Sequence, residues 1–193
     1  LSLMGDASLY AVLPTNTLAA GVSVASVGFL LSANRFIRLA LNGPAGMAYD
    51  RWPRRPLFVS ALFIGVVSTA IYGLTQGFWP LLLGRLLWGL AWSGIWVGGS
   101  TIVLDISSDD NRGRWMGLYQ LSFFLGSASG SSLGGLLTDR WGYHPAMVVG
   151  ATLTFLGAVV ALVLLPETRG LKQEAVEPRV DVRPASLAAT PAV

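Results

Sequence analysis

The sequence predicts an all-α membrane protein of six transmembrane helices arranged as two inverted three-helix repeats. Three observations carry that prediction. Of 193 residues, 53% are hydrophobic and only 12% are charged, more apolar than a soluble domain encloses in one core. Uncharged runs long enough to cross a bilayer, about 20 residues each, follow one another along the chain. A loop motif then recurs at a constant offset of 89 residues, from Gly46 to Gly135.

The runs are continuous rather than alternating in polarity. The interior of lipid admits only helices or closed barrels, so they read as helices. Bounded by charge or by Gly and Pro, the expected spans are 1–17, 22–45, 57–75, 78–104, 115–138 and 145–165. The first is already under way at Leu1, with no charged lead-in, and reads as part of a span in a fragment rather than as a signal peptide. Residues 1–165 form the transmembrane unit. Residues 166–193 turn rich in Pro, Ala, Val and charge without apolar period, and read as a disordered cytoplasmic linker or tail. The absence of cysteine removes disulfide and thiolate-metal chemistry; no cofactor, metal or nucleic-acid partner is expected.

Placing the loop after the second span in the cytoplasm puts Arg51, Arg54, Arg55, Arg112, Arg114, Arg169, Lys172, Arg179 and Arg183 on that side and only Arg140 on the other. The positive-inside bias therefore predicts cytoplasmic termini in a multi-pass cell-membrane protein, a bacterial inner membrane being expected.

The motif Gly46-Met47-Ala48-Tyr49-Asp50-Arg51-Trp52 recurs as Gly135-Leu136-Leu137-Thr138-Asp139-Arg140-Trp141. The offset lays span two on span five and span three on span six, so each unit holds three helices. An odd number turns the second copy upside down in the membrane. Inverted three-helix units are a transporter architecture, because two related units can rock between outward and inward states.

The segment Gly46 to Arg55, of the form G-x-x-x-D-R-x-x-R-R, resembles the loop signature called motif A of the major facilitator superfamily. Leu81, Arg85, Trp88, Gly89 and Ala91 on span four are similar to its motif B, with Trp88 where a Gln is frequent. Gly117, Gly126, Gly130, Gly134 and Gly135 on span five resemble motif C, the antiporter signature, with Ser131 in place of its proline. Pro166-Glu167-Thr168-Arg169-Gly170 looks like the family's domain-ending phrase. The resemblance implies the amino-terminal six-helix half of a longer transporter, whose other half is the partner of the motif C glycines and of Asp50. It also implies a latch in which Arg51, Arg54 and Arg55 pair with Asp50 and Asp105. The plainer reading of those arginines is topology and contact with anionic lipid headgroups.

Asn34, Arg38 and Asn42 recur every four residues on span two with Arg35 beside them, one polar stripe on an apolar helix. A central arginine costs about 2.5–3.5 kcal/mol on insertion scales, so the stripe should face a wet cavity or a partner. Asp6 is the expected partner, at about the depth of Arg35, with Arg85 nearer the outer face. Protonation of Asp6 would then release an arginine and couple protons to movement; a static neutralising pair is the alternative. Trp88, Trp92 and Trp96 form a stripe suited either to helix packing or, at Trp92, to a solute cavity. Asp109, Asp110 and Asn111 are placed to cap span five, and His144 stands alone beside the outer loop.

The expected function is export of a small amphiphilic solute in exchange for protons, by alternating access. Uptake of an organic anion or sugar-like metabolite, or a half without transport of its own, are the alternatives. No enzyme is expected. An intramembrane hydrolase built on Ser93 has no histidine facing it from a helix.

Overall fold

The computed structural model describes residues 1–170, all helices and turns with no strand among them. The elements are α1 (Met4–Val12), a 3-10 turn (Leu13–Thr15), α2 (Thr17–Ala20), α3 (Val24–Arg51), α4 (Arg54–Leu74), α5 (Phe78–Ile106), α6 (Arg112–Trp141) and α7 (Tyr143–Leu164). Four of them, α3, α4, α5 and α7, are long and apolar enough to cross a membrane. At 30 residues α6 is long enough, but its glycines and serines dilute its hydropathy; α1 has only nine residues.

The repeat predicts the later bounds closely. A shift of 89 residues lays α3 on 113–140 and α4 on 143–163, within α6 and α7. Packing follows the same symmetry: α1 lies against α6 and α7, and α5 lies against α3 and α4. Each unit's first helix thus crosses to the other unit, and α4 meets α7 between them.

Two expectations about element ends are corrected. The first span does not run helically to Thr17; α1 stops at Val12, where Pro14 and a 3-10 turn intervene. The second does not stop at Ala45 but runs through Pro44 to Arg51. A proline removes one backbone hydrogen bond from a helix interior, and here the loss does not end the helix. The Gly46 motif is therefore the last turns of α3, with only Trp52 and Pro53 making the turn into α4. Its copy is likewise the end of α6, and the link to α7 is Gly142 alone, at φ +85°, a conformation open to glycine and little else.

Contacts between turns place the two motif copies at opposite ends of the bundle. One end gathers Arg54, Asp105 and Glu167. The other gathers Ala19, Gly73, Gln76 and His144. Two apolar clusters fill the interior, one around Leu9, Leu30, Tyr72, Leu81 and Met147, the other around Leu62, Trp88, Ala91 and Ile95. Phe36 and Leu39 on α3, and Phe124 and Leu136 on α6, are exposed, an apolar surface suited to lipid or further helices.

The first residues of the expected disordered tail are ordered. Residues 166–170 dock on the helix ends, with Thr168 buried, and positions 171–193 lie outside the described residues.

Candidate functional site

A cavity of about 230 Å³ is bordered by Asp6, Tyr10, Asn34, Arg35, Arg38 and Trp92, with Ser127 and Ser131 of α6 opposite. Every residue of the expected solute and proton pathway lines it except Arg85, which sits fully buried behind it. Arg85 nonetheless controls the wall. One of its terminal nitrogens donates to Asp6 Oδ1 in an ion pair, the other to the Tyr10 hydroxyl at 2.7 Å, and its Nε to the Leu30 carbonyl at 3.3 Å. The Tyr10 hydroxyl is in turn within donating reach of the Leu31 carbonyl (3.0 Å) and Asn34 Oδ1 (3.1 Å).

This corrects the expected pairing. Asp6 takes Arg85 of α5, not an arginine of the α3 stripe. Arg85 lies seven residues from Phe78 and Asp6 six from Val12, both counted from the same end. At 1.5 Å per residue both are about 10 Å deep, and the sequence count misplaced them because it ended the first span at Thr17. Arg38 instead lies over the Trp92 ring at 4.3 Å, and Arg35 over Tyr10 at 5.9 Å, distances at which a cation is drawn to the ring face. Asn42, the last residue of the stripe, leaves its buried Oδ1 without a partner among the described residues.

The tryptophans divide. Trp88 is core, its ring against Gly65, whereas Trp92 and Trp96 stack in parallel at 6.2 Å with Phe123 edge-on to both. The α6 glycines divide too. A Cβ at Gly130 would meet Met4 backbone at 2.7 Å and one at Gly134 would meet Ser8 at 2.6 Å; Gly126 just touches Leu3, and Gly117 and Gly135 face open space. Gly130 and Gly134 therefore pack against α1 within this unit, not on a free face awaiting another half. Ser131, at the position of the motif proline, donates to the Ala7 carbonyl at 3.2 Å, and Ser8 donates across the same seam to the Gly130 carbonyl at 2.8 Å.

At the arginine-rich end, the expected latch is present only in part. Arg54 Nε pairs with Asp105 at 3.2 Å. Asp50 and Arg51 have no ionic partner among the described residues and contribute their backbone carbonyls to the Arg169 guanidinium. Arg55 donates to the Leu162 carbonyl at 2.7 Å. Gly46 has nothing near its missing Cβ.

Sequence reasoning missed the centre of this cluster, Glu167. Its carboxylate accepts the backbone amides of Arg54 (2.9 Å), Arg55 (3.1 Å), Thr168 (3.1 Å) and Arg169 (3.0 Å), capping α4 from a point 113 residues away. Thr168 adds a hydrogen bond to Asp105 at 3.0 Å. An acid just after the last span, opposite helix starts whose amides need acceptors, is the signal that was available. Slight burial works against the charge, but the amides of Arg169, Arg54, Arg55 and Thr168 outweigh it and hold Glu167 below the ordinary carboxylate range. A depressed folded pKa stabilises above the unfolded value, near 4.3, and is lost as pH falls through the folded value. The cap should accordingly be constant well above the unfolded value and be lost only as pH falls through the lower, folded one. Amide hydrogen exchange at Arg54, Arg55 and Arg169 reads it directly: Glu167→Gln should speed exchange about tenfold, a change of roughly 1.4 kcal/mol, within the range of a lost cap. Unchanged exchange would remove Glu167 from the cluster.

Two expectations at the turns also change. Asn111 accepts from the Ser108 amide at 3.0 Å and Asp109 pairs with Arg112 at 2.5 Å, so no side chain caps α6. His144 is not incidental. Its ring nitrogens lie 3.0 Å from the Gly73 carbonyl and 3.1 Å from the Ala19 carbonyl, with Gln76 beside it at 3.0 Å, so it ties α2, α4 and α7 together.

Inverted helical units around a polar cavity, with separate contact networks at each end, define the class of multi-pass membrane transporters. The Major Facilitator Superfamily model matches residues 1–190, and the chain belongs to that superfamily, a family of transporters rather than enzymes. It is similar to the inner membrane transport protein YajR of Escherichia coli strain K12, 26% identical over 169 residues that cover 87% of this chain and 37% of the relative. The class B tetracycline resistance protein of Escherichia coli is 27% identical over 175 residues, 89% of this chain and 43% of its own length. The MFS-type transporter ppzB of Metarhizium rileyi is 28% identical over 131 residues, 68% of this chain and 27% of its own. The chain spans less than half the length of these relatives.

Proposed function

We propose that the chain is the amino-terminal six-helix half of a secondary active transporter that exports a small amphiphilic solute in exchange for protons, by alternating access. The observation that carries this reading is the buried Asp6–Arg85 pair at the cavity wall. It joins the first helix of one repeat to the first helix of the other, and Arg85 also holds an α3 carbonyl. A proton on Asp6 removes the charge that Arg85 holds and frees α1 to move relative to α5. The efflux reading draws on relatives named as a resistance protein and as an efflux pump.

In this reading Arg51, Arg54, Arg55, Arg112, Arg114 and Arg169 face the cytoplasm of a bacterial inner membrane, next to anionic headgroups. The Arg54–Asp105–Thr168 contacts then close the cytoplasmic end in one state and part in the other. A second six-helix half would cover the exposed apolar faces of α3 and α6, bringing Asp50, Gly117 and Gly135 towards it.

The test uses the full-length protein in vesicles, screened for solutes under an imposed proton gradient. Asp6→Asn is expected to abolish gradient-driven accumulation and to flatten its pH dependence. Wild-type pH dependence in that variant would remove Asp6 from coupling.

A further inference from the structure

We infer that the cavity takes an organic anion, a flat apolar body bearing a carboxylate, with Arg38 and Arg35 as its charge partners and Trp92 as its platform. This inference names the solute class of the transporter proposed above and rests on that reading.

The charge balance of the wall is the first argument. Three guanidinium groups stand at or behind the cavity, Arg35, Arg38 and Arg85, against one carboxylate, Asp6. Asp6 is committed to Arg85. Among the described residues, no carboxylate lies within ion-pair distance of Arg35 or Arg38, so the wall carries two unpaired positive charges, Arg35 exposed and Arg38 half-buried, on the face of an apolar bundle. Such a surface opposes a cation and is relieved by an anion.

Geometry supplies the second argument. Arg35 and Arg38 are three residues apart on α3 and share one face. The Arg38 guanidinium lies over the Trp92 ring, its central carbon 4.3 Å from the ring centre. Its N–H groups project in its own plane, and no protein acceptor takes them among the described residues. In-plane N–H pairs are the part of arginine that matches a carboxylate in two parallel hydrogen bonds.

The third argument is the apolar part of the wall. Trp92 and Phe123 line the cavity, Trp92 backed by the parallel ring of Trp96 and met edge-on by Phe123, which puts an aromatic surface beside the guanidinium. Compact inorganic anions have no use for such a surface. At about 230 Å³ the cavity is somewhat smaller than the 300–1,000 Å³ usual for a complete small-molecule site, as one wall of a site shared with a second half should be.

The experiment compares three probes of one shape on the purified full-length protein by titration calorimetry: 2-naphthoate, neutral 2-naphthamide and cationic 2-naphthylmethylammonium. Naphthoate should bind at least tenfold tighter than the amide, with the cation weakest. Arg38→Gln should weaken naphthoate at least tenfold and leave the amide within twofold; Arg35→Gln should act the same way with a smaller effect, and Arg38→Lys should restore part of the loss. Neither arginine is in an ion pair among the described residues, so both variants should keep the parent unfolding temperature, which separates lost binding from lost folding. Equal affinity for acid and amide, preference for the cation, or naphthoate binding indifferent to both substitutions would each overturn the inference. Gradient-driven transport of other solutes by a protein indifferent to these probes would leave the transporter reading standing and sink only the anion. Naphthoate binding that depends on Arg38, in a protein that moves no solute across vesicles, would do the reverse.

Discussion

Arg85→Leu should lower the folding stability of the bundle by about 3–5 kcal/mol, because it leaves Asp6 charged and buried with no counterion. Asp6 is 7% exposed and Arg85 fully buried, so water reaches the pair only from the cavity side and replaces the lost partner poorly. The measurement is thermal or denaturant unfolding in detergent. The double variant, Asp6→Leu with Arg85→Leu, tests the cause. Removing both charges together should recover most of the stability, since apolar groups of similar size commonly replace a buried pair without penalty, but it should not recover gradient-driven transport. If Arg85→Leu unfolds like the parent, or the double variant is no better than the single, the pair is not what holds α1 to α5.

Gly130→Val and Gly134→Val should each destabilise by about 1–3 kcal/mol, the usual size of an overpacking effect. At Gly130 the added Cβ meets the Met4 backbone at 2.7 Å, and at Gly134 it meets Ser8 Cα at 2.7 Å. Backbone cannot swing aside as a flexible side chain does, so α6 must retreat from α1 and lose the Ser8 and Ser131 bonds across the seam. Gly117→Ala and Gly135→Ala, with nothing within 4 Å, should instead stabilise by about 0.5–1 kcal/mol through the ordinary helical preference of alanine over glycine. The same unfolding assay ranks all four, and a ranking that puts the two pairs level would dissolve the seam. Bulky residues at Gly117 or Gly135 that spare stability yet stop transport would support a surface meeting another half.

Legibility in the sequence followed locality. The doubled Gly-Asp-Arg-Trp motif marked one pair of helices made twice, and the expected spans 115–138 and 145–165 come within three residues of the ends of α6 and α7, although the motif itself was read as a loop. The ends of the first two spans were misjudged because Pro14 and Pro44 look alike in sequence yet one lies in a 3-10 turn and the other within a continuing helix. Asp6, Arg85, Asp105 and Arg54 stood out as charges in or beside apolar runs. Glu167 and His144 did not, because nothing near them in sequence marks the amides and carbonyls they serve.

By itself the sequence determined the medium, the helical class, the two inverted units and the set of charges that needed company. Those follow from apolar run length, the scarcity of charge and a repeated turn, all properties of neighbours along the chain. Only the tertiary structure decided who keeps company with whom: Asp6 with Arg85 across 79 residues, Glu167 with the start of α4 across 113, and Gly130 with Met4 across the α1–α6 seam. The physical reason is that an ion pair or a close helix contact is set to within a fraction of an ångström by packing. A one-turn error in a helix end moves a side chain about 5.4 Å, enough to give it a different partner.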